Sequence, residues 1–366
     1  MRILAWRSSN SDSMSLFRSL ALLFFAAPSL GAVTSGSTSL KECDDGVSCI
    51  QVSPSGSSMK FDCHLVTNPN GGHVQDPVFL LHGFPEWSGM YLPLMKFLRN
   101  KGVANSYACN QRGYSPEASP GAVEGYDYNI LKADVLAIAD ELGHEKFHLV
   151  GHDHGGVLGW TVAQEAERVL SYTSLSIPHI DAFSKALYGP AADQSQQYAS
   201  QYFDMFMREN SASIKGNFWY LSLGLTSGRK SEYDGKYSDY LPSDFQKALW
   251  WYNGAMAAGK IAGPPAYTAT QLMSAGQYSV AFLRTVFGMP PDDMVGGIDQ
   301  KYPTGQITVP SSFICGKKDP AILCDNDYAH TTSDYVDADY LHLVVDCAHD
   351  LTSCGGDEQD KINQRI

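Results

Sequence analysis

The stretch Gly151-His152-Asp153-His154-Gly155-Gly156 constrains this chain more than any other. It follows the short apolar run 147–151 (FHLVG) and precedes a helical pattern over 156–170. A turn taken straight from strand to helix strains its central residue and pushes that side chain into the open. The residues two positions to either side must be small, because the backbone folds back on itself there. Gly151 and Gly155 meet that need. Serine is usual at the centre of such a turn, but here the residue is Asp153, and no G-x-S-x-G occurs in the chain. A carboxylate with a reference pKa of about 3.9 is already ionised at neutral pH. It can displace a leaving group from carbon and form an ester, which a histidine-activated water then splits. The competing role for Asp153 is that of a helix cap.

A second motif, His82-Gly83-Phe84-Pro85-Glu86, ends the apolar run 77–82 (PVFLLH). Its position predicts that the amide of Phe84, with that of His154, forms an oxyanion hole. Pro85 fixes the turn. Further short apolar runs at 172–177, 312–315 and 341–345 read as strands. The segment 126–142 has apolar residues at helical spacing and stops at Gly143. Strands alternating with helices predict an α/β protein with a mostly parallel sheet covered on both faces. The segment 180–300 differs, with few strand patterns and many aromatics, and is expected to be a helical cap inserted over the site.

The chain's 366 residues, 44% hydrophobic and 18% charged, suit a globular protein with a large core. A formal net charge of −13 argues against nucleic acid or an anionic membrane as partner. Residues 1–32 read as a secretory signal peptide: Arg2, Arg7 and Arg18 precede the apolar run 20–27, then come Pro28, Ser29, Gly31 and Ala32. That run is shorter than the roughly 20 residues a span needs, so no membrane span is expected after signal removal. A signal anchor is the competing reading. The Ser/Gly-rich 33–44 then serves as a flexible lead-in, with 45–179 and 301–366 forming the core.

Export agrees with the eight cysteines, none of which lies in 1–32. Close spacing suggests the pairs Cys43–Cys49, Cys315–Cys324 and Cys347–Cys354, leaving Cys63 with Cys109. Eight cysteines allow about 105 connectivities, so spacing alone does not decide among them. No tight metal-ligand spacing is present, and neither metal nor organic cofactor is expected.

With both motifs in this order, the chain resembles the α/β-hydrolase superfamily over roughly residues 60–352, in particular its epoxide hydrolase branch. H-G-F-P-E, G-H-D-x-G-G and Arg112-Gly113-Tyr114-Ser115 carry the likeness. The resemblance implies an α/β-hydrolase fold and an order of nucleophile, acid and histidine. Asp153 then has Asp319 as acid, in C-G-K-K-D-P, and His349 as base, in C-A-H-D. Asp181 and Asp350 are the alternative acids. The resemblance also implies two cap phenols that donate to an epoxide oxygen. Tyr202, with Phe206, fits the first site, and Tyr198 is its fallback. Tyr252, in Trp251-Tyr252-Asn253, fits the second, with Asn253 where relatives carry arginine. His82, Pro85, Trp87 and Phe206 are the expected substrate-binding residues.

The implied function is secreted hydrolysis of an ether bond, with a small apolar epoxide and water as reactants and a vicinal diol as product. A haloalkane or haloacid dehalogenase with the same nucleophile is one alternative. Haloalkane dehalogenases place Trp after the nucleophile and often Asn after H-G, where this chain has His154 and Phe84, and the Arg of fluoroacetate dehalogenases is absent too. A catalytically idle binding protein of the same fold is the other. The identity of the substrate and the oligomeric state are not legible in the sequence.

Overall fold

A computed structural model describes residues 34–35, 40, 43, 46–84, 86–121, 123–187, 192–200, 306–324 and 327–366. The expected signal segment, Pro85, Tyr202, Phe206, Tyr252 and nearly all of the expected cap lie outside the described residues. Nine strands form one sheet: β1 (Thr34–Ser35), β2 (Ser48–Val52), β3 (Phe61–Thr67), β4 (Val78–Leu81), β5 (Asn105–Cys109), β6 (Phe147–His152), β7 (Val169–Leu175), β8 (Ser311–Gly316) and β9 (Tyr340–Val345). Their spatial order is β1-β2-β3-β5-β4-β6-β7-β8-β9. Pairing is antiparallel from β1 to β5 and parallel from β5 to β9.

The parallel strands are apolar because both faces are covered. All four residues of β4, VFLL, are buried. Phe79 and Leu81 pack on one face with Leu131, Val135 and Trp160. Val78 and Leu80 pack on the other with Leu94, Met95 and Ile362. Each such side chain contributes about 2 kcal/mol on leaving water. The first face belongs to α2 (Tyr128–Glu141) and α3 (His154–Val162), the second to α1 (Leu92–Asn100). Shorter helices follow: α4 (Ile180–Leu187), α5 (Gln194–Ala199), α6 (Asp327–His330) and α7 (Gly356–Asn363). No helix among the described residues is long and apolar enough to cross a membrane.

Local signals set the helix ends. The Asp127 carboxylate accepts from the amide of Asn129 at 2.7 Å and caps α2. The helical pattern at 156–170 extends too far: α3 stops at Val162, because Val169 already pairs with Phe147 in the sheet. Thr34 and Ser35, within the expected lead-in, pair with Gln51 and Ile50 at the sheet's edge.

Disulfides join Cys43 to Cys49, Cys63 to Cys109, Cys315 to Cys324 and Cys347 to Cys354. Cys63 and Cys109 are direct cross-strand partners of β3 and β5. Strand β4 lies between β5 and β6, so the chain leaves it toward opposite edges. A parallel sheet opens a crevice at the carboxyl ends of its strands where the order reverses in this way.

Candidate active site

Asp153 sits between β6 and α3 with φ +52° and ψ −123°. A non-glycine residue there carries about 1–3 kcal/mol of strain, which the surroundings must hold in place. They do so by close approach. A Cβ on Gly155 would lie 2.0 Å from the carbonyl oxygen of Leu81, so only glycine lets α3 begin against β4. A Cβ on Gly83 would lie 2.3 Å from the Cβ of Asp153, so the H-G-F loop rests on the carboxylate itself. That contact lets the amide of Phe84 donate to Oδ1 of Asp153 at 2.7 Å. Oδ2 faces elsewhere, 3.2 Å from Nε2 of His349.

The chain of contacts continues through the imidazole. Nδ1 of His349 lies 2.6 Å from Oδ2 of Asp319. The other oxygen of Asp319 accepts from the amides of Ala321 (2.8 Å) and Ile322 (3.0 Å). A carboxylate so occupied stays an acceptor and keeps the proton of His349 on Nδ1 when the ring is neutral. The loops after β8 and β9 are bound together, since Lys317 donates to the carbonyl of Val345 and Lys318 to that of Cys347, both at 2.8 Å. Of the alternative acids, Asp350 accepts from the amide of Thr352 at 3.0 Å as a local cap. Asp181 lies on α4, its carboxylate 3.9 Å from His179.

Burial alone would push the Asp153 carboxyl up, but His349, His154 and His152 outweigh it and hold the group well below the usual carboxylate range. Burial likewise pulls His349 down, and the anions of Asp319 and Asp153 overcome it, so the imidazole binds its proton far more tightly than usual. The resting site is therefore a carboxylate, an imidazolium and a second carboxylate in line.

His82, expected at the substrate, commits both ring nitrogens to the main chain. Nδ1 donates to the carbonyl of Gly83 at 2.9 Å, and Nε2 accepts from the amide of Gln111 at 3.0 Å. It is fully buried and burial lowers its pKa to about 4, so it shapes the H-G-F loop as a neutral ring. Trp87 is half-buried and packs against the core beside that loop. The His154 side chain is buried, its Nδ1 2.7 Å from the hydroxyl of Tyr128 at the start of α2. Burial lowers the pKa of His154, against the pull of Asp153.

Three contributors escape the sequence reading. Glu86 places Oε2 3.3 Å from Nδ1 of His152. His152 in turn reaches the carbonyl of His349, and so does the hydroxyl of Ser176. Glu86 ends the H-G-F-P-E motif and His152 adjoins Asp153, so both carried a positional hint, whereas Ser176 carried none. Among the described residues, Cys315, Cys324 and His342 bring metal-ligand atoms within 4.8 Å of one another. Their two sulfurs are joined as a disulfide and offer no thiolate.

Residues 76–350 match the family described as alpha/beta hydrolase fold. The chain belongs to that family. It is 33% identical to Epoxide hydrolase A of Mycobacterium tuberculosis over 127 residues, 34% of this chain and 38% of that one. Epoxide hydrolase 4 of Mus musculus is 32% identical over 131 residues, 35% of each chain. These alignments span only about a third of the relatives' length. The AB hydrolase superfamily protein YfhM of Bacillus subtilis is 28% identical over 61% of this chain and 78% of its own. Among solved structures, an epoxide hydrolase from metagenomes of hot environments superposes with a TM-score of 0.62 at 22% identity, over 86% of this chain and 96% of that one. An epoxide hydrolase from Vigna radiata gives 0.56 at 18% identity, over 87% and 96%. At such identities the solved structures speak for the fold.

Proposed function

We propose that this protein is a secreted epoxide hydrolase that opens a small apolar epoxide to a vicinal diol through an ester on Asp153. The observation that carries the reading is the unbroken contact from Asp153 through His349 to Asp319, with Asp153 on a strained turn. The amide of Phe84 already holds Oδ1, so Oδ2 is the attacking atom. It attacks an epoxide carbon, the carbon–oxygen bond breaks, and the oxygen leaves as an alkoxide. Tyr202 and Tyr252 in the cap supply its proton. Ester formation removes the charge of Asp153 from beside His349, which then releases its Nε2 proton to solvent; the neutral ring takes a proton from water through Nε2, and the water oxygen attacks the ester carbon. Negative charge gathers on Oδ1, where the Phe84 amide, joined by that of His154, stabilises it. Collapse breaks the ester bond, the departing oxygen takes the proton from His349, the second water proton restores the cap phenol, and the carboxylate and the diol are left. The relatives named epoxide hydrolase support the substrate class. The four disulfides suit an oxidising compartment, as secretion requires.

Asp153→Asn is expected to abolish turnover. His349→Gln is expected to trap the ester, visible by intact mass as protein plus one epoxide. An adduct formed with haloalkanes and never with epoxides would favour dehalogenation instead. Turnover that survives Asp153→Asn would falsify the nucleophile assignment.

A further inference from the structure

The disulfides differ in access to solvent. Cys63 and Cys109 are buried partners in β3 and β5, and Cys315 and Cys324 are buried on either side of Asp319. Cys347 is buried as well, but its partner Cys354 is half-buried at the end of the loop that carries His349. Cys43 is exposed, and its bond to Cys49 lies at the antiparallel edge of the sheet, away from the reacting groups.

The loop 347–354 follows β9. Hydrogen bonds tie its first half: the amide of Lys318 donates to the carbonyl of Cys347 at 2.8 Å, and Ser176 Oγ donates to that of His349 at 2.6 Å. In the second half the Asp350 carboxylate accepts from its own neighbours, the amide and hydroxyl of Thr352 and the hydroxyl of Ser353. Leu351 is buried, and Cys354 is bonded back to Cys347. The chain then passes through Gly355 (φ +81°) and Gly356 (φ +55°), and a Cβ on either would meet nothing within 4 Å. The amide of Cys354 donates to the side chain of Gln359 in α7, on the far side of those glycines. Two glycines in open space restrain a loop little, so the disulfide is the covalent tie that fixes its far end.

We propose that Cys347–Cys354 is a thiol-exchange site that controls ester hydrolysis: once a dithiol opens it, the loop of His349 moves off Asp319 and Asp153, and the protein still forms the ester but does not split it. This rests on the epoxide-opening reading above. One thiolate of the dithiol attacks Sγ of Cys354, the bond to Cys347 breaks, and Cys347 leaves as a thiolate. The second thiol displaces Cys354 and closes the reagent into a cyclic disulfide, so the two protein sulfurs gain two electrons and take up two protons. An accessible disulfide exchanges ahead of buried ones. Ester formation depends on Asp153, the Phe84 amide and the cap phenols, which lie outside 347–354. Hydrolysis needs the His349 ring 2.6 Å from Asp319 and 3.2 Å from Asp153. The oxidised protein turns over, and the reduced protein keeps its substrate as an ester.

The test uses the full chain with Cys43→Ser and Cys49→Ser, which leaves Cys347–Cys354 as the accessible pair. Dithiothreitol is added and then removed, and iodoacetamide with peptide mass mapping shows which thiols it freed. Stopped-flow kinetics with styrene oxide separates ester formation from hydrolysis. The label is expected on Cys347 and Cys354. Hydrolysis should slow by at least about tenfold while ester formation changes less than about threefold, and intact mass should show the ester accumulating. Re-oxidation should restore hydrolysis. Cys347→Ser with Cys354→Ser is expected to match the reduced protein with no reductant present. Hydrolysis at its full rate with the pair open overturns the proposal, as does a parallel fall of both steps or a pair that stays closed to dithiothreitol in the folded protein. If the variant lacking Cys347 and Cys354 does not fold, the reduced and re-oxidised protein decides by itself. If the oxidised protein forms no ester with styrene oxide, the epoxide reading fails. Proton NMR then still decides the switch: the Nδ1 proton that His349 donates to Asp319 should be present in the oxidised protein and lost in the reduced one.

Discussion

Nδ1 of His349 and Oδ2 of Asp319 are 2.6 Å apart, and each residue sits in a loop closed by a disulfide. Cys315–Cys324 spans the loop of Asp319 and Cys347–Cys354 spans that of His349. With both loop ends tied, the Asp319 carboxylate holds one orientation of the His349 ring. Asp319→Asn keeps the shape and removes the charge. An amide facing Nδ1 also favours the wrong tautomer. Turnover is expected to fall by about 10⁴-fold, the loss such a change causes in a serine-protease triad. The ester should still form, so intact mass during turnover should show it accumulating. A variant that turns over normally would remove Asp319 from its role.

The two steps should respond differently to pH. Ester formation needs the ionised form of Asp153, which the surrounding histidines hold well below its usual range. That step is expected to stay level as pH falls to about 5. Hydrolysis needs neutral His349. In the resting site burial lowers its proton affinity while Asp319 and Asp153 raise it more. In the ester only Asp319 remains as an anion in contact, so His349 releases its proton at lower pH than in the free protein. Below that point hydrolysis should drop about tenfold per pH unit. Stopped-flow traces across pH check the sign: ester formation falling in parallel with hydrolysis would contradict it.

Gly83→Ala tests the close approach of the H-G-F loop. The new methyl group would start 2.3 Å from the Cβ of Asp153, so the loop must move. The Phe84 amide then leaves Oδ1, and loss of one such donor costs about 10²–10³-fold in turnover. Stability should fall by about 1–3 kcal/mol from the forced repacking. Denaturant titration beside steady-state rates measures both. Full activity in this variant would mean that the amide is not needed.

His179 offers a stability prediction away from the reacting atoms. It stacks on Tyr335 with centroids 4.6 Å apart, and burial lowers its pKa to about 4. The unfolded chain takes up a proton near pH 6.5 and the folded chain only near 4, so stability falls as pH drops through that window. The loss is about 3 kcal/mol between pH 7 and 4 for this one group. His179→Phe keeps the stacking and removes the titration. Its unfolding free energy should depend less on pH over that range by about the same amount. Identical pH slopes for the two proteins would refute the burial-driven shift.

Much of the fold was legible because buried parallel strands are apolar on both faces. The runs at 77–82, 147–151, 312–315 and 341–345 became β4, β6, β8 and β9. The first three strands and β5 were not legible. They pair antiparallel at one side of the sheet, and β3 mixes Asp62, Cys63 and His64 without clean alternation. In the candidate site, Asp153, Asp319, His349 and Phe84 come together where their motifs imply. His82, expected at the substrate, gives both of its ring nitrogens to the main chain of Gly83 and Gln111.

What the sequence determined by itself was the turn: glycines flanking Asp153 at a strand-to-helix junction leave few backbone paths, and an aspartate at its centre puts a carboxylate there. Only the tertiary structure decided how that carboxylate is set. Oδ1 is held by Phe84 and Oδ2 turns to His349 because the loop after β4 lies on the carboxylate through Gly83. The anions that raise the proton affinity of His349 are Asp153, after β6, and Asp319, after β8. Electrostatic coupling depends on distance through space, and distances between residues so far apart in the chain exist only once the sheet has brought its strand ends together.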